Sequence, residues 1–93
     1  MGAAALNDSS MSTRKFFCTF PQQLISEPLI SNTLGVKFGV VPNIRAASIS
    51  EAKAHVVVEI EGDVDKITES VEYLRERGVE VAEIMEGEEL PKF

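Results

Sequence analysis

Cysteine and histidine are almost absent from this 93-residue sequence, which has one of each, Cys18 and His55. A single cysteine excludes a disulfide within the chain and any metal or iron–sulfur site that needs several thiolates of one chain. Neither residue has a second group beside it in the sequence that would complete a nucleophile–base pair. We therefore expect no enzyme activity, no catalytic residues, no metal site and no cofactor.

Basic residues are also few. The chain has 9 Lys and Arg against 15 Asp and Glu, which gives a formal net charge of −6 at pH 7. This balance disfavours contact with nucleic-acid phosphates or anionic lipid surfaces. No apolar run is long enough to cross a bilayer, and the first residues lack the basic start and apolar centre of a secretory signal. We expect a soluble, cytoplasmic protein that binds no nucleic acid and does not insert into a membrane.

The length of the chain indicates a single domain. Residues 1–13 are rich in Ala, Ser, Asn and Asp without periodicity, which is typical of a flexible leader. Residues 14–85 carry the periodic patterns of a folded domain, and residues 86–93 form an acidic tail. A chain of this size buries only a modest core, so dimerisation would add to its stability.

Four segments alternate as β-strands do, at residues 14–20, 40–49, 54–61 and 79–85. Phe16 and Phe17 place apolar rings on both faces of the first strand, as expected at the centre of a sheet. Pro42 stands near the start of the second strand and favours an edge position.

Two helices are predicted between these strands. The first begins after Ser26, its expected N-cap, and its apolar positions recur at helical spacing up to Phe38, before Gly39. The second begins after Asp63 and ends at Gly78. The order βαββαβ predicts an α+β, ferredoxin-like two-layer sandwich. Its antiparallel sheet has the order 4-1-3-2, with both helices on one face.

The second strand contains the most distinctive polar pattern of the chain, Asn43-Ile44-Arg45. In an extended strand Asn43 and Arg45 point to one face and Ile44 to the other. One interpretation is structural: Asn43 bonds to local backbone after Pro42, and Arg45 protects an edge strand from aggregation. The other is that the polar face holds a ligand. The residue types alone favour the structural interpretation.

Several short motifs, in their order and spacing, resemble the NIL domain. This module occurs at the C-terminus of the ATPase subunit of methionine-importing ABC transporters, and also alone or joined to ferredoxin modules. The motifs are FP at 20–21, EPLIS at 27–31, NIRAASIS at 43–50, VVEIEG at 57–62 and YLRERGVEV at 73–81. The Asn-Ile-Leu run that names the family stands here as Asn43-Ile44-Arg45, as in the stand-alone and ferredoxin-linked members more than in the transporters.

The resemblance implies a regulatory module in which two copies pair and methionine binds at or near their interface. The asparagine of the family motif contributes to that ligand site and corresponds to Asn43, whose amide suits both ends of an amino acid. Arg45, where the transporters have an apolar residue, would add a carboxylate clamp.

We therefore expect a non-catalytic homodimer that binds a small ligand, methionine or a related amino acid. Asn43 is the expected principal ligand residue, with Ile44, Arg45 and Phe38 beside it. The alternative is a protein-interaction adaptor that docks a ferredoxin or a transporter subunit through its edge strand.

Overall fold

In the computed structural model, which describes residues 11–85, 87 and 88, strands and helices follow one another in the predicted order βαββαβ. The strands are β1 (Met11–Pro21), β2 (Val41–Ile49), β3 (Lys53–Asp63) and β4 (Glu80–Ile84). A 3-10 turn (Gln22–Leu24) follows β1. The first helical segment is a π-helical turn (Leu29–Thr33) that continues into the α-helix α1 (Leu34–Phe38), and the second is the α-helix α2 (Val64–Arg77).

These strands form one antiparallel sheet in the order β2-β3-β1-β4. Counted from the other edge the order is 4-1-3-2, so the predicted ferredoxin-like α+β fold is confirmed. β1 is central and pairs with β3 over its whole length, from Met11 opposite Asp63 to Pro21 opposite Lys53. β2 lies at an edge, as Pro42 indicated, because a proline weakens the sheet least where one side of the strand has no neighbour.

The core lies between one face of the sheet and the helices. Alternate side chains of β1 and β3 point into it, and the apolar stripe of α2 covers them. Its strand residues are Phe16, Cys18, Phe20, Ala54, Val56, Val58 and Ile60, and those of α2 are Ile67, Val71 and Leu74. The other face of the sheet, called the open face below, carries the intervening residues such as Lys15, His55 and Glu59.

α2 begins and ends where the sequence predicts. The side chain of Asp63 caps the helix by accepting a hydrogen bond of 2.9 Å from the N–H of Asp65. At the other end Gly78 has φ = 106°, a conformation that favours glycine, and its N–H donates to the carbonyl of Arg75. Both caps depend on local sequence, which is why the pattern predicts them. Among the described residues, no helix is long and apolar enough to cross a membrane.

The start of β1 differs from the prediction. The strand begins at Met11, so residues 11–13, which were assigned to a flexible leader, pair with the end of β3. Main-chain pairing with a long central partner orders this segment although its own side chains show no apolar alternation. The rest of the predicted leader, residues 1–10, lies outside the described residues, as do residues 86 and 89–93 of the predicted tail.

The start of the first helix also differs, because Ser26 is not its N-cap. The N–H of Leu29, which a serine at this position would cap, instead donates to the carbonyl of Glu27 over 2.8 Å. Pro28 between them has φ = −81° and ψ = 56°, the geometry of an inverse γ-turn. The N–H of Thr33 then donates to the carbonyl of Pro28, which produces the π-helical turn. The predicted end of the helix at Gly39 is confirmed.

Candidate functional site

A β-bulge interrupts β2 at Arg45. Ile44 lies opposite Val58, and the next paired residue, Ala46, lies opposite Val57, so Arg45 is an extra residue in the strand. Opposed residues in an antiparallel pair point to the same side of the sheet. Ile44 therefore faces the helix layer with Val58, whereas Asn43 faces the open side with its partner Glu59. The predicted opposition of these two neighbours is confirmed.

Arg45 is engaged on the open face. Its Nε lies 3.4 Å from Oε1 of Glu59, and Glu59 also has Nζ of Lys15 at 3.6 Å. These contacts join β2, β3 and β1 across the open face. Arg45 thus lies on the same side as Asn43, as its spacing predicted, and its guanidinium is partly committed to a carboxylate of the chain itself.

Phe38 lies elsewhere. Its ring packs edge-on against Tyr73 of α2, with the ring centroids 5.5 Å apart, and Lys37 stands near both rings. This contact joins the end of α1 to α2. Of the four side chains that the sequence proposed as one site, the structure places Asn43 and Arg45 on the open face, Ile44 on the helix side and Phe38 against α2.

An open groove of about 270 Å³ lies on the helix side of β2. Ile44 and Ile49 form one wall, and the chain segment 25–31 before and within the π-helical turn forms the other. The lining side chains are Phe20, Ile25, Glu27, Pro28, Leu29, Ile30, Ser31, Ile44, Ile49, Ala54 and Val56. The groove is mostly apolar, and its volume lies just below the usual range for ligand sites, which begins at about 300 Å³.

The groove exists because the helix layer does not extend over the edge strand. Ile44 is 51% exposed and Ile49 is 69% exposed, although both point to the helix side of the sheet. Their partners on β3, Val58 and Ala54, are buried. The apolar face of the sheet thus extends to β2, one strand beyond the helix layer. The exposed side chains of β2 on this face form one wall of the groove.

A family model described as the NIL domain matches residues 18–83. The chain belongs to the NIL domain family. A search of the curated proteins found no match. Among solved structures, one similar fold is the crystal structure of the C-terminal domain of an ABC transporter/ATP-binding protein from Enterococcus faecalis. That domain has a TM-score of 0.68 and 19% identity, over 78% of this chain and 84% of that chain. At this identity the likeness shows the shared fold.

In this NIL domain the family motif forms part of both faces of β2. Asn43 and Arg45 contribute to the open face, and Ile44 contributes to the groove. The resemblance predicted from the short motifs is confirmed at the level of the family. The ligand roles of Asn43, Ile44, Arg45 and Phe38 stay predictions.

Sequence reasoning missed the second wall of this NIL domain's groove. Glu27 and Pro28 were assigned to the first turn of a helix, yet both line the groove beside Leu29. Glu27 is held there by Arg77, whose Nη2 donates to Oε1 of Glu27 over 2.7 Å. An ion pair between residues fifty positions apart leaves no pattern in the local sequence. The available signal was Pro28, which suits a tight turn as well as the first position of a helix.

A polar depression of about 310 Å³ lies at the other side of the sheet, near the start of β1 and the end of β4. Arg14 and Glu83 both line it, and Arg14 donates from Nε and Nη2 to the two carboxylate oxygens of Glu83, over 2.9 and 2.8 Å. These hydrogen bonds lower the pKa of Glu83. Arg14 pairs with Glu83, and Lys15 pairs with Glu59 in the same lining. Because these charges are already paired within the chain, this depression is a weaker candidate for ligand binding than the groove.

The single cysteine and the single histidine both make packing contacts within the sheet. Cys18 is fully buried, and desolvation raises the pKa of its thiol to about 12. His55 stacks on Phe17 with the rings 5.5 Å apart, and its Nδ1 lies 3.2 Å from Oγ1 of Thr19. Within the described part of the chain, no group of three or more His, Cys, Asp or Glu residues is placed to hold a metal ion.

Proposed function

We propose that this NIL domain is a non-catalytic regulatory module that binds a small ligand, methionine or a related amino acid. The observation that carries the proposal is the apolar groove between β2 and residues 25–31, which begins at Ile44 of the family motif. A flexible, unbranched side chain such as that of methionine adapts well to an irregular apolar groove. Membership of a family that includes transporter-linked domains supports a regulatory role, and we place the module in the cytoplasm.

Asn43 requires a separate argument because it points to the face opposite the groove. β2 is an edge strand, so one side of it is open and a ligand can reach around that edge. We propose that the apolar part of the ligand contacts Ile44 and Ile49 in the groove, while a polar group reaches the amide of Asn43. Arg45 is a weaker partner for a ligand carboxylate, since Glu59 already engages it.

Pairing of two copies is part of the proposal. Val41, Ile44 and Ile49 are exposed along the free edge of β2, and an edge strand also offers unpaired backbone groups. A second copy added at this edge would cover the side chains and close the groove from its open side.

The proposal is tested by titrating the isotope-labelled domain with a panel of amino acids and following amide NMR shifts. We expect saturable shifts at Ile44 and Ile49 with methionine, weakened in Ile49→Thr and in Asn43→Ala. Val36→Thr is the matched control, because Val36 is also an exposed apolar residue, lies on α1 and does not line the groove. The absence of shifts with every amino acid at millimolar concentration would contradict ligand sensing.

The second candidate function is a protein-interaction adaptor. The exposed apolar edge of β2 favours it, because a partner strand could pair with this edge and place side chains in the groove. A ferredoxin module or a transporter subunit is the proposed partner. The adaptor function is favoured over ligand sensing if such a purified partner shifts the β2 amides while no amino acid does.

A further inference from the structure

The groove carries charge of only one sign. Among the described residues that line it, Glu27 is the only charged one, and Ser31 has the only other polar side chain. A ligand group with a negative charge therefore meets no lysine or arginine in the lining. A positive group meets one carboxylate, which is 38% exposed and paired with Arg77 outside the lining. A hydrogen bond from an ammonium group to this carboxylate is charge-assisted and is about twice as strong as a neutral one.

Glu27 is held in place by one hydrogen bond to its carboxylate and two to its main chain. Arg77 donates to its Oε1, and the same arginine also donates from Nη1 to the hydroxyl of Tyr73 over 3.4 Å. The main chain of Glu27 is bonded on both sides, because its N–H donates to the carbonyl of Leu24 and its carbonyl accepts from Leu29. A carboxylate fixed in this way loses little freedom when it binds a ligand.

The ion pair with Arg77 does not use the full capacity of the carboxylate. An ionised carboxylate has about four acceptor positions on its two oxygens, and the hydrogen bond from Arg77 takes one of them on Oε1. An ammonium group has three donors and no acceptor. Glu27 can therefore accept from such a group while it keeps its contact with Arg77.

We propose that Glu27 is the specificity-determining residue of the groove and binds the ammonium group of the ligand. The ligand class is then a primary ammonium compound with a short apolar tail, of which the apolar α-amino acids are members. This inference rests on the proposed function, because it requires that the groove take a small ligand. It adds that the ammonium group, more than the carboxylate, decides which ligands bind.

Three related compounds test this at pH 7. L-Methionine has both charged groups, N-acetyl-L-methionine lacks the ammonium group, and 3-(methylthio)propylamine lacks the carboxylate. We expect N-acetyl-L-methionine to bind at least about tenfold more weakly than methionine, a difference that one charge-assisted hydrogen bond supplies. The amine loses only the contact of the carboxylate with Asn43, so we expect it to bind more tightly than N-acetyl-L-methionine. Calorimetry or NMR titration measures the three dissociation constants.

Two variants separate recognition from support of the fold. Glu27→Gln and Arg77→Gln both break the ion pair, but only Glu27→Gln removes the carboxylate. We expect Glu27→Gln to lose the preference for methionine over N-acetyl-L-methionine and Arg77→Gln to keep it. Glu72→Gln, which makes the same charge change at an exposed position of α2, is the matched control and keeps both affinity and preference. Amide spectra of each variant check that it is folded.

The outcomes distinguish this inference from the function on which it rests. If N-acetyl-L-methionine binds the wild-type domain as tightly as methionine, the role of Glu27 is wrong while ligand binding stands. If both variants lose the preference equally, Glu27 only holds the segment 25–31 in place and the inference is overturned. If none of the three compounds binds at millimolar concentration, the proposed function fails and the inference fails with it.

Discussion

Ile44 and Ile49 lie on the same face of β2 although they are five residues apart. In a regular strand an odd separation places two side chains on opposite faces. The extra residue at Arg45 changes the alternation, so that Ile44 faces the helix layer opposite Val58 and Ile49 faces it opposite Ala54. The bulge thereby puts two exposed isoleucines on one wall of the groove.

The bulge predicts an unusual tolerance to deletion. Removing Arg45 takes out the unpaired residue and leaves a regular strand in which Ile44 still opposes Val58 and Ile49 still opposes Ala54. We expect the deletion variant to fold with an unfolding free energy within about 1 kcal/mol of the wild type, because an exposed ion pair is worth little. Arg45→Ala is the control that removes the side chain and keeps the bulge. Cross-strand NOEs that report a different register would contradict this prediction.

The core prediction concerns Leu74 of α2, which is fully buried among the strand side chains. Leu74→Ala should lower the free energy of unfolding by about 2–5 kcal/mol, since it removes apolar contacts and leaves a cavity. Val36→Ala, at a position that is 79% exposed, should change it by less than about 0.5 kcal/mol. Urea unfolding followed by circular dichroism measures both, and equal effects would be inconsistent with the packing described.

The ion pair between Arg14 and Glu83 predicts a dependence of stability on pH. The hydrogen bonds from Arg14 lower the pKa of Glu83 in the folded state. The pair therefore stabilises the fold above the ordinary pKa of glutamate, and this contribution is lost as the pH falls through the lowered pKa. We expect it to be at most about 1 kcal/mol, because the two side chains are partly exposed.

The measurement compares urea unfolding of the wild type and Glu83→Gln between neutral and acidic pH. The variant should be less stable at neutral pH and approach the wild type in acid. Glu69→Gln removes a carboxylate from the more exposed pair with Lys66 and is the control. A difference between wild type and Glu83→Gln that persists unchanged in acid would show that Arg14 does not act through the charge of Glu83.

Cys18 should be chemically inert in the folded domain. Its thiol is fully buried and its pKa is raised to about 12 by desolvation, so almost none is thiolate near pH 8. We expect iodoacetamide to alkylate Cys18 slowly in buffer and rapidly in concentrated urea, as measured by mass spectrometry. The raised pKa also affects stability. The thiol ionises at a lower pH in the unfolded chain than in the folded domain, so the free energy of unfolding falls as the pH rises through the pKa of the unfolded state. Rapid alkylation of the folded domain would contradict the buried position.

Pairing through β2 predicts that a charge at its edge prevents association. Ile44→Lys should shift sedimentation towards the monomer, because two copies would bring like charges together at the interface. Val36→Lys introduces the same charge on α1 and should leave association unchanged. A wild-type domain that sediments as a monomer at every concentration would make the homodimer proposal wrong.

Most of the fold could be predicted because its determinants are local. The alternation of Phe16, Cys18 and Phe20, the caps at Asp63 and Gly78 and the position of Pro42 each depend on neighbouring residues. The order of elements then leaves few topologies, and the observed sheet order agrees with the predicted one. Ser26 and the start of β1 were exceptions. At Ser26 two competing local patterns, a capped helix and a γ-turn at Pro28, suit the same residues, and residues 11–13 become a strand through pairing with β3.

The candidate site was predicted in part. The sequence proposed Asn43, Ile44 and Arg45, whose ligand roles stay predictions, and it correctly placed Asn43 and Ile44 on opposite faces. It grouped Phe38 with them by proximity in the chain, whereas packing places that ring against Tyr73. It did not detect Ile49 and Glu27, because their place in the groove depends on a bulge and on a contact with α2.

The sequence by itself determined the periodicity of the strands, the ends of α2, the order of the sheet and the membership of the NIL family. Each of these depends on spacing within a segment or on the order of short motifs along the chain. Only the tertiary structure decided where β2 bulges, how far the helix layer reaches and that Arg77 holds Glu27 beside the groove. Those features depend on register and packing between residues distant in the chain, and no local pattern encodes them.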